Sequence, residues 1–460
     1  MSDPLLRLAA ELAIDAVAGV DNRPVAPTEA GLAALAAFDE PLPTAGSDPE
    51  QTLRLLHDVA GPATMASTGP HYFGFVTGAT YPVALGAAFL ASAWDQNTAL
   101  PVMSPAAAAV HETTRHWLLD LLGLPPEAAI AYVTGATVAN AACLASARDA
   151  LLAARGWDVQ EHGLFGAPEI QVVVGAHRHS TLSKSLGLVG LGRSRVHTVP
   201  TDDQGRMRAD RLGDVPGVDG PVLVCAQAGE VNTGAFDPFE AVADWTVARR
   251  GWLHVDGAFG LWALADPTRG HLVQGLVRAD SWATDAHKWL NVTYDCGIAV
   301  VRDPAALRRT FSAAAGYVPA GESFDAMHHT PQSSQRARQF EVWSVLRTLG
   351  RDGVAELVQR SSSVAALIAD RLREAGLTIL NDVVLNQVLV RLEDAATTEA
   401  LIAEIQRDRR IWCGPTQWAG GTAMRISVSS WKTTLADGER AATVIEECAK
   451  RVRAQRALPA

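Results

Sequence analysis

The chain has 460 residues, 48% of them hydrophobic and 19% charged, with a formal net charge of -11. At about 150 residues per domain this length predicts two or three domains, and the composition is that of a globular rather than a disordered chain. The acidic balance and the lack of a Lys/Arg-rich run argue against a nucleic-acid surface.

The first residues, MSDPLLRLAAELAIDAV, carry acids inside the apolar stretch and no basic leader, so they do not read as a secretory signal. Cys143, Cys225, Cys296, Cys413 and Cys448 are scattered, with no CxxC pair at metal-ligand spacing. Buried thiols in a reducing compartment are expected, and with them a soluble cytoplasmic protein. The most apolar stretch, Pro82 to Trp94, is too short to span a bilayer.

Residues 1–80 read as a helical segment with a Pro, Thr and Gly loop around 40–50. Ser104-Pro105 then opens a helix as N-cap and first-turn proline, and Gly123 and Pro125 stop it. A strand, Ile130 to Val133, leads through Thr134-Gly135-Ala136-Thr137 into an alanine-rich helix that reaches Arg155, with Gly156 as its cap. β-Branched runs follow at 171–174, 222–225, 252–255 and 298–301, separated by helical or turn-rich segments. That alternation predicts a mostly parallel sheet covered on both faces. Near residue 350 the texture changes to a helix over 352–375, strands over 385–392 and 424–428, a helix over 397–409 and a last helix over 435–453. The expected division is an N-terminal segment 1–80, a large domain 81–350 and a smaller C-terminal α/β domain 351–460.

Four segments carry candidate chemistry. Thr134-Gly135-Ala136-Thr137 lies between strand and helix, where backbone N–H groups and the helix dipole suit an anion; an ordinary turn looks the same. His179, in His177-Arg178-His179-Ser180, follows a parallel strand, where open α/β sheets bind ligands; a satisfied core histidine is the alternative. Asp256 ends the apolar run Trp252-Leu-His-Val, which is costly unless a cation meets it; a metal ligand or helix cap is the alternative. Lys288, in Asp285-Ala286-His287-Lys288-Trp289, is one of only four lysines, with Lys184, Lys432 and Lys450. It alone follows Asp256 within an apolar strand–turn context. A desolvated lysine forms imines, whereas an exposed loop lysine does nothing of the kind.

Together the four suit pyridoxal 5'-phosphate (PLP). Its phosphate needs backbone donors, its ring a sandwich such as His179 against Ala258, its ring nitrogen an acid such as Asp256, and its aldehyde an amine such as Lys288. At these residues the sequence resembles the group II PLP-dependent decarboxylases, which act on aromatic amino acids, tyrosine, glutamate or 2,4-diaminobutyrate. The matching segments are Pro70-His71-Tyr72-Phe73-Gly74, Thr134 to Asn140, His179 to Gly192, Gly234 to Pro238, His254-Val255-Asp256 and Asp285 to Trp289. The resemblance implies fold type I, the aspartate-aminotransferase-like architecture, with a mixed, mostly parallel seven-stranded sheet and a smaller C-terminal domain. It implies a homodimer with shared active sites and decarboxylation of an L-amino acid, expected to be aromatic, through an imine at Lys288. Gly135, Ala136 and Thr137 would hold the phosphate with help from Asp285 and His287. His179 would stack, and Asp256 would meet the ring nitrogen. No metal is expected.

Two departures stand out. Gly229-Glu230-Val231-Asn232-Thr233 stands where the family often shows Gly-Thr-Thr, so that Val231 replaces a threonine whose hydroxyl Asn232 is expected to stand in for; Glu230 is expected at the rim, with contact to a substrate group the alternative. The loop over 320–334, which in the family supplies a tyrosine that protonates Cα, contains Phe324, His328 and His329 but no tyrosine; Tyr317 precedes it. His328 or His329 is expected as proton donor, with oxidative deamination to an aldehyde the alternative outcome. Pro70 to Phe73 and Trp94 are candidates for an aromatic pocket, and core packing is the competing reading.

Overall fold

The β-branched runs in the middle of the chain are strands, and most are buried along their whole length. In this computed structural model, which describes residues 2–217, 219–312 and 325–457, they form one sheet. Its strands are β1 (Ala129–Val133), β2 (Gln171–Gly175), β3 (His197–Val199), β4 (Val222–Gln227), β5 (Trp252–Asp256), β6 (Ser281–Asp285) and β7 (Gly297–Val301). The order is β1-β7-β6-β5-β4-β2-β3. Strands β2 to β6 run parallel, and β7 is antiparallel to both its neighbours, β1 and β6. Burial on both faces explains why these segments read as continuous apolar runs rather than alternating ones.

Strand β6 escapes a reading by pattern, because Ser281-Trp-Ala-Thr-Asp285 mixes polar residues into a fully buried strand. The polar groups are satisfied inside: Ser281 Oγ accepts from Trp252 Nε1 and sits 2.9 Å from His254 Nδ1. Strand β3 escapes too, being three residues long with two of them exposed.

The long helices, in chain order, are α1 (Ser2–Gly19), α2 (Pro82–Trp94), α3 (Pro105–Leu121), α4 (Ala136–Ala153), α5 (Ser180–Leu188), α6 (Phe239–Ala248), α7 (Pro304–Phe311), α8 (Gln339–Glu374), α9 (Ala395–Asp408) and α10 (Leu435–Ala457). Helix α4 packs on β6 and β7, and its small residues Ala139, Ala142 and Cys143 let it lie close to Ala283 and Ala299. Gly156 takes the left-handed conformation just beyond its end, as a helix stop requires. Helix α8 begins before the expected residue 352; Gly350, at φ 62°, breaks it into two stretches.

The chain divides into two units. One holds Gly78–Ser363 with Asn381–Gln387, and includes the seven-stranded sheet. The other groups the residues up to Thr77 with Val364–Leu380 and those from Val388 onward. It contains most of a second sheet, β10-β11-β9-β8, made of β8 (Thr378–Ile379), β9 (Gln387–Arg391), β10 (Gly414–Trp418) and β11 (Gly421–Ser427). Strands β10 and β11 are joined by Ala419-Gly420, both at positive φ, a two-residue hairpin turn.

In this second unit the aromatic run at 71–73 is structural. Tyr72 stacks on Trp412 at 5.1 Å, and Phe73 exchanges backbone bonds with Trp412 and Ser427. His71 Nε2 bonds Asp437 Oδ1 at 2.9 Å. A Cβ on Gly74 would lie 2.2 Å from the Trp412 ring. The competing reading of this segment, core packing rather than a pocket wall, is therefore what the structure shows for its Tyr and Phe.

Candidate active site

Strand register brings the candidate residues to one edge of the large sheet. Val133 at the end of β1 and Asp285 at the end of β6 both pair with Gly297, the first residue of β7. A Cβ on Gly297 would come within 2.5 Å of Gly135, so only glycine lets the Thr134-Gly135 turn lie against β7. Asp256 ends β5, parallel to and beside β6. Four polar segments thus converge at the carboxyl ends of the parallel strands, where sheets of this kind bind ligands.

Gly135 and Thr137 are half-buried at the head of α4, an 18-residue helix whose first-turn N–H groups have no helical partner. The Ala136 N–H donates to Asp285 Oδ1 at 2.6 Å, and Thr137 accepts from Ser185 Oγ through its carbonyl. Asp285 Oδ2 lies 3.1 Å from Lys288 Nζ, and His287 Nε2 lies 3.6 Å from Asp285 Oδ1. His287 Nδ1 accepts the Cys296 N–H at 3.0 Å, which puts its proton on Nε2. Burial holds the His287 pKa below the ordinary value. The lysine turn is clamped from outside: a Cβ on Gly78 would lie 1.9 Å from the Lys288 carbonyl oxygen. Ala79 N–H donates to Asn291 Oδ1 at 2.7 Å beside it.

Asp256 is 4% exposed. Its carboxylate accepts one backbone N–H, from Ala258, at a long 3.3 Å. Burial pushes its pKa up, while the charges of His179 and Lys288 pull it down. Ala258 itself is half-buried beside it, and its carbonyl accepts the Asp285 N–H at 2.9 Å. His179 caps α5 through Nδ1, and its N–H donates to Gln227 Oε1 at 3.1 Å.

Three residues behind Asp256 go unseen in the sequence. His254 is fully enclosed, bonded to Asn140 Oδ1 at 2.8 Å and to Ser281, and burial pushes its pKa down to about 3. With its oxygen on His254, Asn140 turns an otherwise unpartnered amide nitrogen inward, where it favours the Asp256 carboxylate. The available signal was a histidine inside an apolar strand, which is costly unless bonded. Tyr294 was also missed; its ring, 58% exposed, lies 4.3 Å from that of His287.

Glu230 is not at the rim. It is 2% exposed and accepts from Asn232 N, Asn232 Nδ2, Thr233 N and Thr233 Oγ1, so it closes its own turn and keeps Asn232 engaged. Burial raises its pKa. His328 and His329 are buried in a turn tied to Ala99 through Met327 N–H, and His329 Nδ1 lies 2.9 Å from the Asp325 carbonyl oxygen. Burial lowers the His329 pKa. Tyr317, Phe324 and the loop residues before Asp325 lie outside the described residues.

These groups fit PLP. An enclosed carboxylate whose one backbone hydrogen bond is long suits a cationic ring nitrogen, the half-open head of α4 suits a phosphate, and Lys288 supplies an amine beside both. Among the described residues no group of His, Cys, Asp and Glu could hold a metal ion, and no helix is long and apolar enough to cross a membrane.

The conserved-domain pattern of pyridoxal-dependent decarboxylases matches residues 34–393. An aromatic-L-amino-acid decarboxylase of Bacillus atrophaeus is 28% identical over 352 residues, 74% of this chain and 71% of that protein. The acidic amino acid decarboxylase GADL1 of Homo sapiens is 28% identical over 341 residues, 72% of this chain and 64% of that protein. Among solved structures, Oryza sativa TDC with PLP and tryptamine superposes with a TM-score of 0.90 at 23% identity, covering 98% of each chain.

Proposed function

The chain belongs to the pyridoxal-dependent decarboxylase family, with PLP as its cofactor and fold type I as its architecture, and from that premise we propose that it removes the α-carboxylate of an L-amino acid to give the amine and CO2. The observation that carries the reading is the enclosed Asp256 at the end of β5, beside the strand β6 whose following turn carries Lys288. PLP, when bound, supplies an electron sink for the bond that breaks at Cα.

The chain's own residues do the rest. Gly135, Ala136 and Thr137 offer the head of α4 to the phosphate, with His287 and Asp285 lining the same place. With PLP bound, Asp256 would keep the ring nitrogen protonated, the Asn140 amide favouring its carboxylate and His254 holding Asn140. His179 and Ala258 would flank the ring, and Lys288 would supply the amine that holds the aldehyde. Orientation of the substrate then selects the carboxylate bond among the three at Cα.

For the proton that replaces the carboxylate, His328 or His329 is the donor, imidazole being the side chain most often used to transfer protons. The substrate is an aromatic L-amino acid, supported by the exposed Tyr294 ring beside His287 and by likeness to an aromatic-L-amino-acid decarboxylase. A homodimer is supported by apolar side chains left exposed, Leu6, Ile14 and Val17 on α1 and Phe89, Leu90 and Trp94 on α2. Five buried, unpaired cysteines support a reducing, cytoplasmic setting.

The test is direct. Purified protein incubated with PLP turns yellow, borohydride fixes the label, and peptide mapping finds it on Lys288. Aromatic and acidic amino acids are then compared for CO2 release and for product. Amine from an aromatic substrate supports the full reading; release from acidic substrates alone overturns the aromatic assignment, and aldehyde with ammonia and peroxide overturns the histidine donor.

A further inference from the structure

Gln227 closes β4 beside Asp256 on β5, its partner in strand register, and the Ala228 N–H ties the two strand ends by donating to the Asp256 carbonyl at 2.8 Å. Side chains alternate along a strand, so partners in register present the same face of the sheet. The Gln227 side chain is half-buried there, and its oxygen is committed: Oε1 accepts the His179 N–H at 3.1 Å. A backbone N–H needs an acceptor, which fixes the orientation of the carboxamide and makes Nε2 the end left over. Among the described residues nothing accepts from that nitrogen. The strand end that carries it is held in place, because the Gln227 N–H donates to Asp237 Oδ2 at 2.7 Å. The other amide nearby, Asn232 in the turn after β4, gives its nitrogen to Glu230 at 3.0 Å.

We propose that Gln227 Nε2 donates a hydrogen bond to the ring hydroxyl oxygen of PLP. This rests on the PLP reading given above and deepens it by one cofactor contact. The substituents of PLP follow a fixed order round its ring: nitrogen, methyl, hydroxyl, aldehyde, phosphate arm, C–H. With the nitrogen at Asp256 and the aldehyde at Lys288, the hydroxyl and the phosphate arm belong to opposite edges. The head of α4 meets Asp285 at the end of β6, on one side of β5, and β4 is the neighbour of β5 on the other. A phosphate at α4 thus turns the hydroxyl edge towards β4, where Gln227 ends the strand. A neutral N–H there favours the ionised form of the ring oxygen, since a hydrogen bond to a charged form stabilises it. One carboxamide then has two tasks. Its oxygen holds the main chain of His179, which flanks the ring, and its nitrogen holds the edge that the phosphate leaves free.

The experiment measures binding by equilibrium dialysis for two cofactors, PLP and its analogue that lacks only the ring hydroxyl, in the natural chain and in Gln227→Met. The substitution keeps the length of the side chain and removes its donor. It also removes the oxygen that holds His179, but that loss weakens both cofactors alike, so the ratio of the two dissociation constants isolates the contact to the hydroxyl. The preference for PLP over the analogue is expected to be roughly fivefold greater in the natural chain than in the variant, the effect of one neutral hydrogen bond. Equal preference in both proteins overturns the proposal. Gln227→Leu serves if the first variant fails to fold, and a natural chain that binds the two cofactors equally overturns the proposal without any variant. Failure of the natural chain to bind either cofactor would instead sink the PLP reading itself.

Discussion

Two carboxylates end adjacent parallel strands at the candidate site, and they are treated oppositely. Asp285 has both oxygens engaged by protein groups, the Ala136 N–H at 2.6 Å and Lys288 Nζ at 3.1 Å. Asp256 is just as enclosed, yet accepts one backbone N–H at 3.3 Å, with its pKa raised by burial. A buried charge that is fully bonded positions the protein around it. A buried charge with few direct bonds is costly in the free chain, and a ligand of opposite charge offsets that cost. The contrast separates a residue that organises the site from one that waits for something to fill it.

The largest expected effect tests the amine that both acids face. Lys288→Ala is expected to abolish covalent capture of PLP, read as loss of borohydride-fixed label. Asp256→Asn comes next. Turnover is expected to fall on the order of 10²- to 10³-fold, as when one preorganised electrostatic contact is removed. Stability is expected to move the other way. The folded pKa of Asp256 lies above its unfolded value, so the fold binds the proton more tightly and loses stability as pH rises through that interval. Removing the charge should therefore raise the melting temperature of the cofactor-free chain at neutral pH. A lower melting temperature would break the comparison with Asp285.

The support behind Asp256 gives the third test. His254, and away from it His111 on α3 beside the Tyr132 ring, are pushed by burial from 6.5 down to about 3. The unfolded chain takes up their protons first on acidification. Stability present above about pH 6.5 is thus lost between about 6.5 and about 3, by roughly 1.4 kcal/mol per pH unit for each histidine. Denaturation midpoints against pH should lose one such share of slope in His254→Gln, while a slope unchanged by the substitution would remove His254 from the account. The smallest effect is at the phosphate end. Thr137→Ala deletes one hydroxyl, worth about 1 kcal/mol, and should weaken PLP binding roughly fivefold in a spectroscopic titration.

Much of this site is legible in the chain because its chemistry needs rare residues in rare places. An aspartate closing the apolar run Trp252 to Val255, and a lysine in a chain with four of them, stand out against their surroundings. Gly135 and Thr137 are visible through the strand-to-helix turn. Asn140, Ser281 and His254 are not, because each is an ordinary polar residue until its partner is known. Glu230 was misplaced at the rim because a charged side chain in a loop is normally solvated. Here two backbone N–H groups and the side chains of Asn232 and Thr233 take it inside.

What the sequence determined by itself is local and periodic: the apolar strands, the capped helices, the parallel α/β class and the motifs that mark the family. What the tertiary structure alone decided is neighbourhood. The pairing of Val133 and Asp285 with the same Gly297, the insertion of the polar β6 between β5 and β7, and the union of the first 77 residues with the C-terminal part join positions far apart in the chain. Whether a buried carboxylate is satisfied or left wanting depends on distances of a few tenths of an ångström between such positions, and no pattern along one chain encodes them.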